Sequence, residues 1–502
     1  MKQVFTYGKP EEAGISSADI SAFIEKLEEY ELAMHSLIII RHGEIVAEGY
    51  WKPFDENFRH RMYSTSKSFV AGAIGLLLDE GRISLADRVC TYFPEYPEQT
   101  LHPYVRETTI RDLLMMSSPF AGTTYTLFGN ERNRTHWVES FFTTKPNKPA
   151  GTVFCYDTSA TYILDVVVER ITGMPFMDFL YEKILHKLNF SENPKCIKSP
   201  DGYSWGGSGV LCTTLDLAKY AYIFLRGGNV NGEQLLSKQF VKDAISKQIE
   251  TDTFGIGGKT HKTFGYGYQI WCNEENGFVF NGMGLQHAFC YPDKDLMIVC
   301  TSGNFDQSTD SARILFPAVR DFIVRRCSDS PLPENVEAYR KLSERLASLE
   351  LLLPSGEKKS ATMEKINNVT YTLTDNPMGW KWVRFNFGEN EGTMHFENSR
   401  GEKALTFGYG EYREGELPEV HYSGDTIHIP LGRGYKYVGA GVWRGGQNLQ
   451  LSFHIIDEYL GNLKYSFAFK GDRIGFRAAK AAEGFLTDYS GVAGGEAITQ
   501  NV

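Results

Sequence analysis

The amino-acid sequence predicts an α/β fold, an α+β sandwich in which helices flank an antiparallel sheet, followed by a C-terminal all-β barrel. Two observations support this prediction. Strand-like apolar runs open and close residues 1–330, and amphipathic helical runs lie between them. From about residue 364 onward, short alternating runs recur between Gly, Asn and Asp turns, which is typical of barrels and sandwiches.

The first segment begins with a helix that opens near Ser17, and two strands follow at Ser36–Arg41 and Glu44–Trp51. An apolar, helix-favouring run then extends from Ser66 to Asp79. Because strands from both ends of the segment enclose the helices, we expect these strands to complete one sheet. Further helices are predicted at Thr109–Met116, Ser159–Thr172, Phe176–Leu188, Leu215–Leu225 and Thr309–Arg326, and further strands at Tyr268–Cys272, Gly277–Phe280, Gln286–Tyr291 and Leu296–Thr301.

A polar, proline-bearing stretch at Ser328–Pro333 predicts a domain boundary. Residues 1–330 are therefore expected to form the first domain, and residues 331–363 a linker that carries a charged amphipathic helix. Residues 364–490 are expected to form the barrel, with an aromatic core, and residues 491–502 to form a disordered tail.

Composition excludes several classes of function. The chain of 502 residues is 42% hydrophobic and carries a net charge of −10, which argues against nucleic acid or an anionic membrane as a partner. No apolar run reaches the length of a membrane span, and the N-terminal residues lack the apolar segment of a secretory signal, so a cytoplasmic location is expected. The 8 cysteines form no C-x-x-C pair, which favours reduced core thiols, and neither a metal nor a cofactor is expected.

The most informative motif is Ser64-x-x-Lys67, at the start of the apolar helical run. On a helix these two side chains share a face about one turn apart. A buried amine beside a serine can accept the serine's proton, and the N–H groups of a helix start suit a developing oxyanion. The spacing alone also fits a helix cap followed by a solvated lysine.

A second serine motif competes with the first. Gly202–Gly206 matches G-x-S-x-G, with Ser204 at the centre. That motif requires a buried strand before it and a helix directly after it. Here Ser199–Asp201 precedes the motif and more glycines follow, so a glycine turn that shapes a pocket is the preferred interpretation.

Several ordered motifs together resemble the serine β-lactamase and penicillin-binding-protein superfamily. They are Ser64-x-x-Lys67, the segment Pro149–Tyr156, and the glycine turn Gly206–Gly209 followed by Thr213–Ala218. The resemblance covers roughly Gly14–Arg326. The branch resembled most is that of class C β-lactamase-like hydrolases, which includes esterases, D-aminopeptidases, amide hydrolases and transesterases. The resemblance implies the β-lactamase type of sandwich for the first domain.

The resemblance also implies catalytic roles. Ser64 would be the acylated nucleophile, Lys67 would take up or relay its proton, and Tyr156 would share the general acid and base work. A phenol near a cationic amine has its anionic form favoured, so Tyr156 is expected to accept a proton at neutral pH. The alternative for Tyr156 is a packing residue at the end of a strand.

In the family, one oxyanion N–H comes from the nucleophile and the other from a strand beside the site. These are expected at Ser64 and at Met283, with Gly284 as the neighbouring choice. This glycine-rich segment stands where lactamases carry Lys-Thr-Gly, and the absence of that lysine, which holds a substrate carboxylate, argues against efficient β-lactam turnover. Thr158 replaces the usual Asn of the second motif and could donate one hydrogen bond to Lys67 or to a substrate carbonyl.

Two further substrate-binding candidates are less constrained. His287 could face the substrate from the strand Gln286–Tyr291, or it could be packed or solvated. Tyr125 lies in a long loop, residues 117–133, which could line an acyl pocket or pack beneath it.

The sequence thus predicts a serine hydrolase that cleaves an ester or amide of a small molecule or short peptide through an acyl-enzyme. Two alternatives stay open: a D-amino-acid-specific peptidase or amidase, and a non-catalytic penicillin-recognition fold that binds a ligand. The barrel is expected to be lipocalin-like and could support a homo-oligomer.

Overall fold

The computed structural model describes residues 3–121, 135–251, 264–304, 311–419, 421–422, 427–428, 434–481 and 486–498. The chain divides into two compact units. The first comprises Met1–Ser302 and Asp310–Glu350, and the second comprises Gly303–Thr309 and Leu351–Val502.

The first unit is built on a seven-stranded sheet. Its central strands, Met34–Arg41 and Leu296–Ser302, are buried throughout and pair antiparallel, with Ile38 opposite Val299. These strands come from opposite ends of the unit, which confirms that both ends complete one sheet. In order across the sheet the strands are Thr6–Tyr7, Glu44–Tyr50, Met34–Arg41, Leu296–Ser302, Gln286–Tyr291, Phe278–Gly282 and Trp271–Cys272.

Helices cover both faces of this sheet. On one face, Phe224 of the helix Thr214–Leu225 lies 5.4 Å from Phe280, between ring centroids. On the other face, Phe316 lies 4.8 Å from Phe289. The α-helices are Ser17–Glu29, Ser66–Asp79, Pro103–Arg106, Ile110–Leu114, Trp137–Thr143, Thr158–Thr172, Phe176–Lys183, Thr214–Leu225, Lys238–Ala244, Ala312–Ala318 and Val336–Ala347, with a π-helix at Val319–Val324.

Short elements complete the first unit. The strand Val210–Cys212 pairs with His60–Arg61 on one side and Lys195–Cys196 on the other, and this small sheet leads directly into the serine–lysine motif. A two-stranded hairpin joins Asn229–Val230 to Glu233–Gln234. The 3-10 helices are Tyr63–Thr65, Val89–Tyr92, Glu98–Thr100, Leu185–Leu188 and Pro292–Lys294.

The helix Ser66–Asp79, here called the nucleophile helix, is buried from Ser66 to Leu77. Its sequence is apolar on all sides, as expected of a helix enclosed by other helices. A buried helix has little freedom to move, because its side chains interlock with their neighbours. This helix therefore provides a rigid support for the residues at its start.

The helix Val336–Ala347 corrects the predicted domain boundary. The sequence places it in a linker, but it contacts the helix Ser17–Glu29 and the strand Glu44–Tyr50 within the first unit. Its apolar stripe requires burial, and Leu342 is fully buried while Arg345 pairs with Glu28. The first unit consequently ends at Glu350 rather than near residue 330.

The second unit contains a closed nine-stranded barrel, which confirms the all-β prediction. A parallel pairing of Gly408 with Ala440 closes the ring. Aromatic side chains fill the interior; Trp380, for example, stacks on Phe396 with ring centroids 4.0 Å apart. Around the ring the strands are Gly401–Tyr409, Glu391–Asn398, Trp382–Phe387, Thr370–Leu373, Gly491–Ala497, Arg473–Ala481, Asn462–Lys470, Asn448–Ile455 and Tyr435–Arg444. Outside the ring are the strands Arg413–Leu417, His421–Tyr422 and Ile427–His428, the helix Thr362–Ile366 and the 3-10 helix Thr487–Tyr489.

The predicted disordered tail is wrong for residues 491–497. The strand Gly491–Ala497 lies between Thr370–Leu373 and Arg473–Ala481 and pairs with both. Its small residues resemble a disordered segment in composition, but the barrel needs this strand to satisfy the backbone groups on both sides. Among the residues described here, no helix has both the length and the apolar character needed to cross a membrane.

Candidate active site

Ser64 lies in a tight turn that leads into the nucleophile helix. The 3-10 helix Tyr63–Thr65 carries it, and Tyr63 has φ +48°, a left-handed conformation that bulky residues rarely adopt. Ser64 itself is half-buried. Because backbone N–H groups in a first helical turn have no acceptor within the helix, the Ser64 N–H is suited to bind an anionic oxygen.

Lys67 faces Ser64, as the helical spacing predicts. Its Nζ lies 3.0 Å from Ser64 Oγ and donates to the carbonyl oxygen of Gly207 at 2.7 Å. The lysine side chain is almost completely buried, with 1% of its surface exposed. These contacts hold the amine in a protected site beside the serine hydroxyl, which is the arrangement needed to exchange a proton with the serine.

Tyr156 reaches the same site from a distant part of the chain. The Lys67 amine lies 5.0 Å from the centre of its ring, and the Ser64 hydroxyl is near enough to lower the pKa of the phenol. Tyr156 is placed by the helix Thr158–Thr172, which begins two residues later. Asp157 caps that helix by accepting from the Ser159 N–H at 2.9 Å. The structure thus brings Ser64, Lys67 and Tyr156 together.

The protonation state of Tyr156 differs from the sequence-based expectation. Burial raises the pKa of Tyr156 above its usual value of 10.0, and the nearby Ser64 hydroxyl offsets only part of that effect. The half-buried ring packs against aromatic neighbours: Trp271 stacks on it at 5.6 Å, and Tyr266 lies edge-on at 6.4 Å. The raised pKa favours the neutral phenol at pH 7, which is a proton donor, whereas the sequence predicted a proton acceptor.

The strand edge beside Ser64 is the hairpin that contains Met283 and Gly284. Gly282, which precedes them, packs so closely that a Cβ on it would lie 2.3 Å from the Met62 carbonyl oxygen. Thr65 Oγ1 donates to the Gln286 carbonyl at 2.7 Å, which fixes the other end of the hairpin to the same turn. The segment proposed for the second oxyanion donor therefore adjoins the nucleophile turn, and its donor role stays a prediction.

The remaining candidates have different outcomes. The methyl group of Thr158 lies against Gly207, since a Cβ on Gly207 would be 2.5 Å from it. His287 is fully buried, 5.4 Å from Phe316 between ring centres. Because neighbouring strand residues point to opposite faces, His287 faces away from the side on which Gly282 and its partner Gln286 meet the nucleophile turn, so its substrate-binding role is not supported. Tyr125 lies outside the described residues.

Sequence reasoning missed two partners of the site. The Gly207 carbonyl holds Lys67, and Trp271 covers Tyr156. A glycine turn was recognised at Gly206–Gly209, but a backbone acceptor has no side-chain signature that a sequence could show. Ser204, the competing serine, is buried, and its Oγ accepts from Lys198 at 3.3 Å rather than facing the site.

No metal centre accompanies these groups in the described part of the chain, where no cluster of three or more His, Cys, Asp or Glu side chains could hold an ion. The chemistry that the described geometry offers is proton exchange among a hydroxyl, an amine and a phenol, beside backbone donors.

A sheet sandwiched between helices, with a serine–lysine pair at the start of a buried helix, defines a hydrolase of the serine β-lactamase and penicillin-binding-protein superfamily. More particularly, the chain belongs to the Beta-lactamase family, whose model matches residues 20–319. It is 26% identical over 303 residues to the 6-aminohexanoate-dimer hydrolase of Paenarthrobacter ureafaciens, covering 56% of this chain and 75% of that protein.

Solved structures show the same fold. A Bacillus anthracis protein provisionally assigned as a 6-aminohexanoate-dimer hydrolase superposes with a TM-score of 0.51 at 19% identity, over 66% of this chain and 89% of its own. The hydrolase EstCE1, described as having promiscuous acyltransferase activity, gives a TM-score of 0.50 at 14% identity, over 60% and 98% of the two chains. At these identities the likeness establishes the fold alone.

Proposed function

We propose that this chain is a serine hydrolase that cleaves an ester or amide bond through an acyl-enzyme on Ser64. The observation that carries the proposal is the contact of the Ser64 hydroxyl with the Lys67 amine, at 3.0 Å, where the same amine lies 5.0 Å from the centre of the Tyr156 ring. Membership of a family with hydrolase relatives supports the reaction class.

In the first half-reaction, Lys67 in its neutral form accepts the proton of Ser64 while Oγ attacks the substrate carbonyl. The oxyanion that forms is held by the N–H groups of Ser64 and Met283, with Gly284 as the alternative donor. Tyr156 donates its proton to the leaving group and regains one from Lys67, which returns the amine to its neutral form. Water then attacks the acyl-enzyme, with the same groups acting in reverse.

The neutral phenol assigns the roles within this scheme. Since burial raises the pKa of Tyr156, the phenol is a poor resting base and a competent acid. The amine is therefore the group that activates Ser64, and the phenol is the group that completes bond cleavage.

A matched pair of serine substitutions tests the nucleophile. Ser64→Ala should abolish hydrolysis of a short-chain p-nitrophenyl ester, whereas Ser204→Ala should leave most of it. A fluorophosphonate adduct, located by intact mass and peptide mapping, should fall on the Ser64 peptide. Loss of activity in Ser204→Ala but not in Ser64→Ala would refute the assignment.

Substrate preference requires a panel. One relative is named for hydrolysing the 6-aminohexanoate dimer, so linear amino-acid dimers belong in the panel with simple esters, D-aminoacyl amides and nitrocefin. Selective cleavage of D-aminoacyl amides would favour the peptidase or amidase alternative. Neither acylation nor hydrolysis of any compound would favour a non-catalytic binding protein.

A further inference from the structure

The Gly207 carbonyl lies 2.7 Å from the Lys67 amine, closer than Ser64 Oγ at 3.0 Å. Gly207 belongs to a turn, residues 205–209, that is part of no helix or strand. Within the turn, the Ser208 N–H donates to the Trp205 carbonyl at 3.0 Å. The Gly209 N–H donates to the same carbonyl at 2.7 Å, and neither bond involves Gly207, so the direction of the Gly207 carbonyl depends also on neighbours of the turn.

On one side of Gly207, the turn is held by Asp165 of the helix Thr158–Thr172. Asp165 Oδ2 accepts from the Gly206 N–H at 3.0 Å, and the side chain has no exposed surface. The fit is close, because a Cβ on Gly206 would lie 3.0 Å from Asp165 Cγ. Among the described residues, the other carboxyl oxygen of Asp165 has no hydrogen-bond partner.

A buried carboxyl group with a single donor is costly as an anion. Burial raises the pKa of Asp165 well above its usual value, Glu169 raises it further, and the Gly206 N–H and Lys198 oppose the shift. In the described part of the chain, the hydrogen bond that this carboxyl group makes is with the turn. The catalytic scheme proposed for Ser64 does not use it.

On the other side of Gly207, the turn is held by Arg61. Its Nε donates to the Ser208 carbonyl at 2.8 Å, and a terminal nitrogen donates to Ser208 Oγ at 2.9 Å. The guanidinium carbon lies 4.4 Å from the centre of the Tyr63 ring and 4.6 Å from that of the Trp205 ring. One buried cation thus contacts both the residue before Ser64 and the residue after Gly207.

We propose that Arg61 and Asp165 are positioning residues that hold the turn on either side of Gly207 and so fix the carbonyl that orients the Lys67 amine toward Ser64. This inference rests on the proposed function of Ser64 and Lys67. Arg61 acts through Ser208 and Tyr63, and Asp165 acts through Gly206. Neither residue takes part in proton transfer.

The expected effect follows from geometry. A lysine amine ends a flexible four-carbon chain, so its position depends on its hydrogen-bond partners. Displacing a reacting group by about 1 Å costs up to about 100-fold in rate. Loss of either positioning residue should therefore lower kcat by about 10- to 100-fold and leave KM within about two-fold, because substrate contacts are unchanged.

The test compares Asp165→Ala with Asp165→Asn, measured as p-nitrophenyl ester hydrolysis per active site titrated with a fluorophosphonate. Asp165→Ala removes the acceptor for Gly206 and should show the loss in kcat. Asp165→Asn retains an acceptor oxygen without charge and should restore kcat to within about three-fold of the parent. Arg61→Lys, which keeps the charge but loses the forked contact with Ser208, should resemble Asp165→Ala.

Glu169→Ala is the matched control. Glu169 lies one turn further along the same helix and accepts from the Ser204 N–H at 3.1 Å, so it supports the same segment away from Gly207. This change should lower the melting temperature without lowering kcat. The double variant Asp165→Ala/Arg61→Lys should be little worse than the poorer single variant, because both act on one carbonyl.

Unchanged kcat in folded Asp165→Ala and Arg61→Lys would overturn the proposal, as would equal losses in Asp165→Ala and Asp165→Asn. If Asp165→Ala and Arg61→Lys both fail to fold, Ser208→Ala takes their place, because it removes only the hydroxyl that accepts from Arg61. A lower kcat at constant KM in Ser208→Ala would support the proposal, and an unchanged kcat would overturn it. Inactive Ser64→Ala beside fully active positioning variants would refute only the positioning role. Active Ser64→Ala would refute the proposed function first.

Discussion

Gly282→Ala gives the sharpest test of how the nucleophile turn is held. The added Cβ would lie 2.3 Å from the Met62 carbonyl oxygen and 3.0 Å from Thr65 Oγ1, whereas ordinary contacts begin at 3.4 Å. The strand and the turn must separate by about 1 Å to relieve the overlap. The overlapping atom of Met62 belongs to the backbone, and the Met62 N–H donates to the Val210 carbonyl at 2.8 Å. The turn therefore cannot move away without straining this hydrogen bond.

A shift of about 1 Å in a reacting group lowers the rate by up to about 100-fold, which corresponds to about 2.7 kcal/mol of transition-state stabilisation. We therefore expect kcat/KM for a p-nitrophenyl ester to fall about 100-fold, and fluorophosphonate labelling of Ser64 to slow in parallel. Urea unfolding should show that the variant is still folded. Gly475→Ala is the control, because its new Cβ would meet no atom within 4 Å in a barrel strand.

A folded Gly282→Ala variant with kcat/KM within about three-fold of the parent would contradict this reasoning. It would show that the turn around Ser64 does not depend on contact with the strand Phe278–Gly282. It would also weaken the proposal of a second oxyanion donor at Met283, since that donor depends on the same contact.

Two further predictions concern stability. Burial lowers the pKa of His60 from 6.5 to about 3, so the unfolded chain binds a proton below pH 6.5 that the folded chain does not. The free energy of unfolding should therefore decrease as the pH falls from about 6.5 towards 3, by up to about 1.4 kcal/mol per pH unit, and His60→Gln should reduce this slope in urea unfolding at pH 7, 5 and 4. Leu342 is fully buried, so Leu342→Ala should cost the first unit about 2–4 kcal/mol by calorimetry, whereas Tyr339→Ala, at an exposed position of the same helix, should cost less than about 1 kcal/mol.

Local chemistry explains which site residues the sequence could reveal. Ser64 and Lys67 are three residues apart on a helix, so their contact follows from helical geometry alone. Tyr156 is distant in the chain, and only the order of several motifs connected it with Ser64. The two central strands of the sheet are likewise far apart in the chain. Their apolar patterns predicted each strand, and the position of the strands at the two ends of the unit predicted their pairing.

Local sequence patterns could not predict properties that depend on residues distant in the chain. The expected phenolate of Tyr156 presumed a nearby cation, whereas burial raises the pKa of this phenol. The face of His287 depends on strand register, because a shift of one residue reverses every side chain. Composition likewise failed for the strand Gly491–Ala497, whose order comes from two neighbouring strands rather than from its own residues.

A neutral phenol makes the importance of Tyr156 depend on the leaving group. An amide nitrogen must be protonated before it departs, whereas p-nitrophenolate is stable enough to leave without a proton. Tyr156→Phe should therefore lower kcat for an amide far more, by about 100-fold or more, than for a p-nitrophenyl ester, where about 10-fold or less is expected. In the parent enzyme, loss of amide hydrolysis through ionisation of the phenol should occur only above pH 10, because its pKa is raised from 10.0. Equal losses on both substrates would instead mean that Tyr156 takes the proton of Ser64, because that step is common to both. The ratio of the kcat losses on the amide and on the ester therefore shows whether Tyr156 acts as a general acid or as a general base, which a measurement with one substrate cannot show.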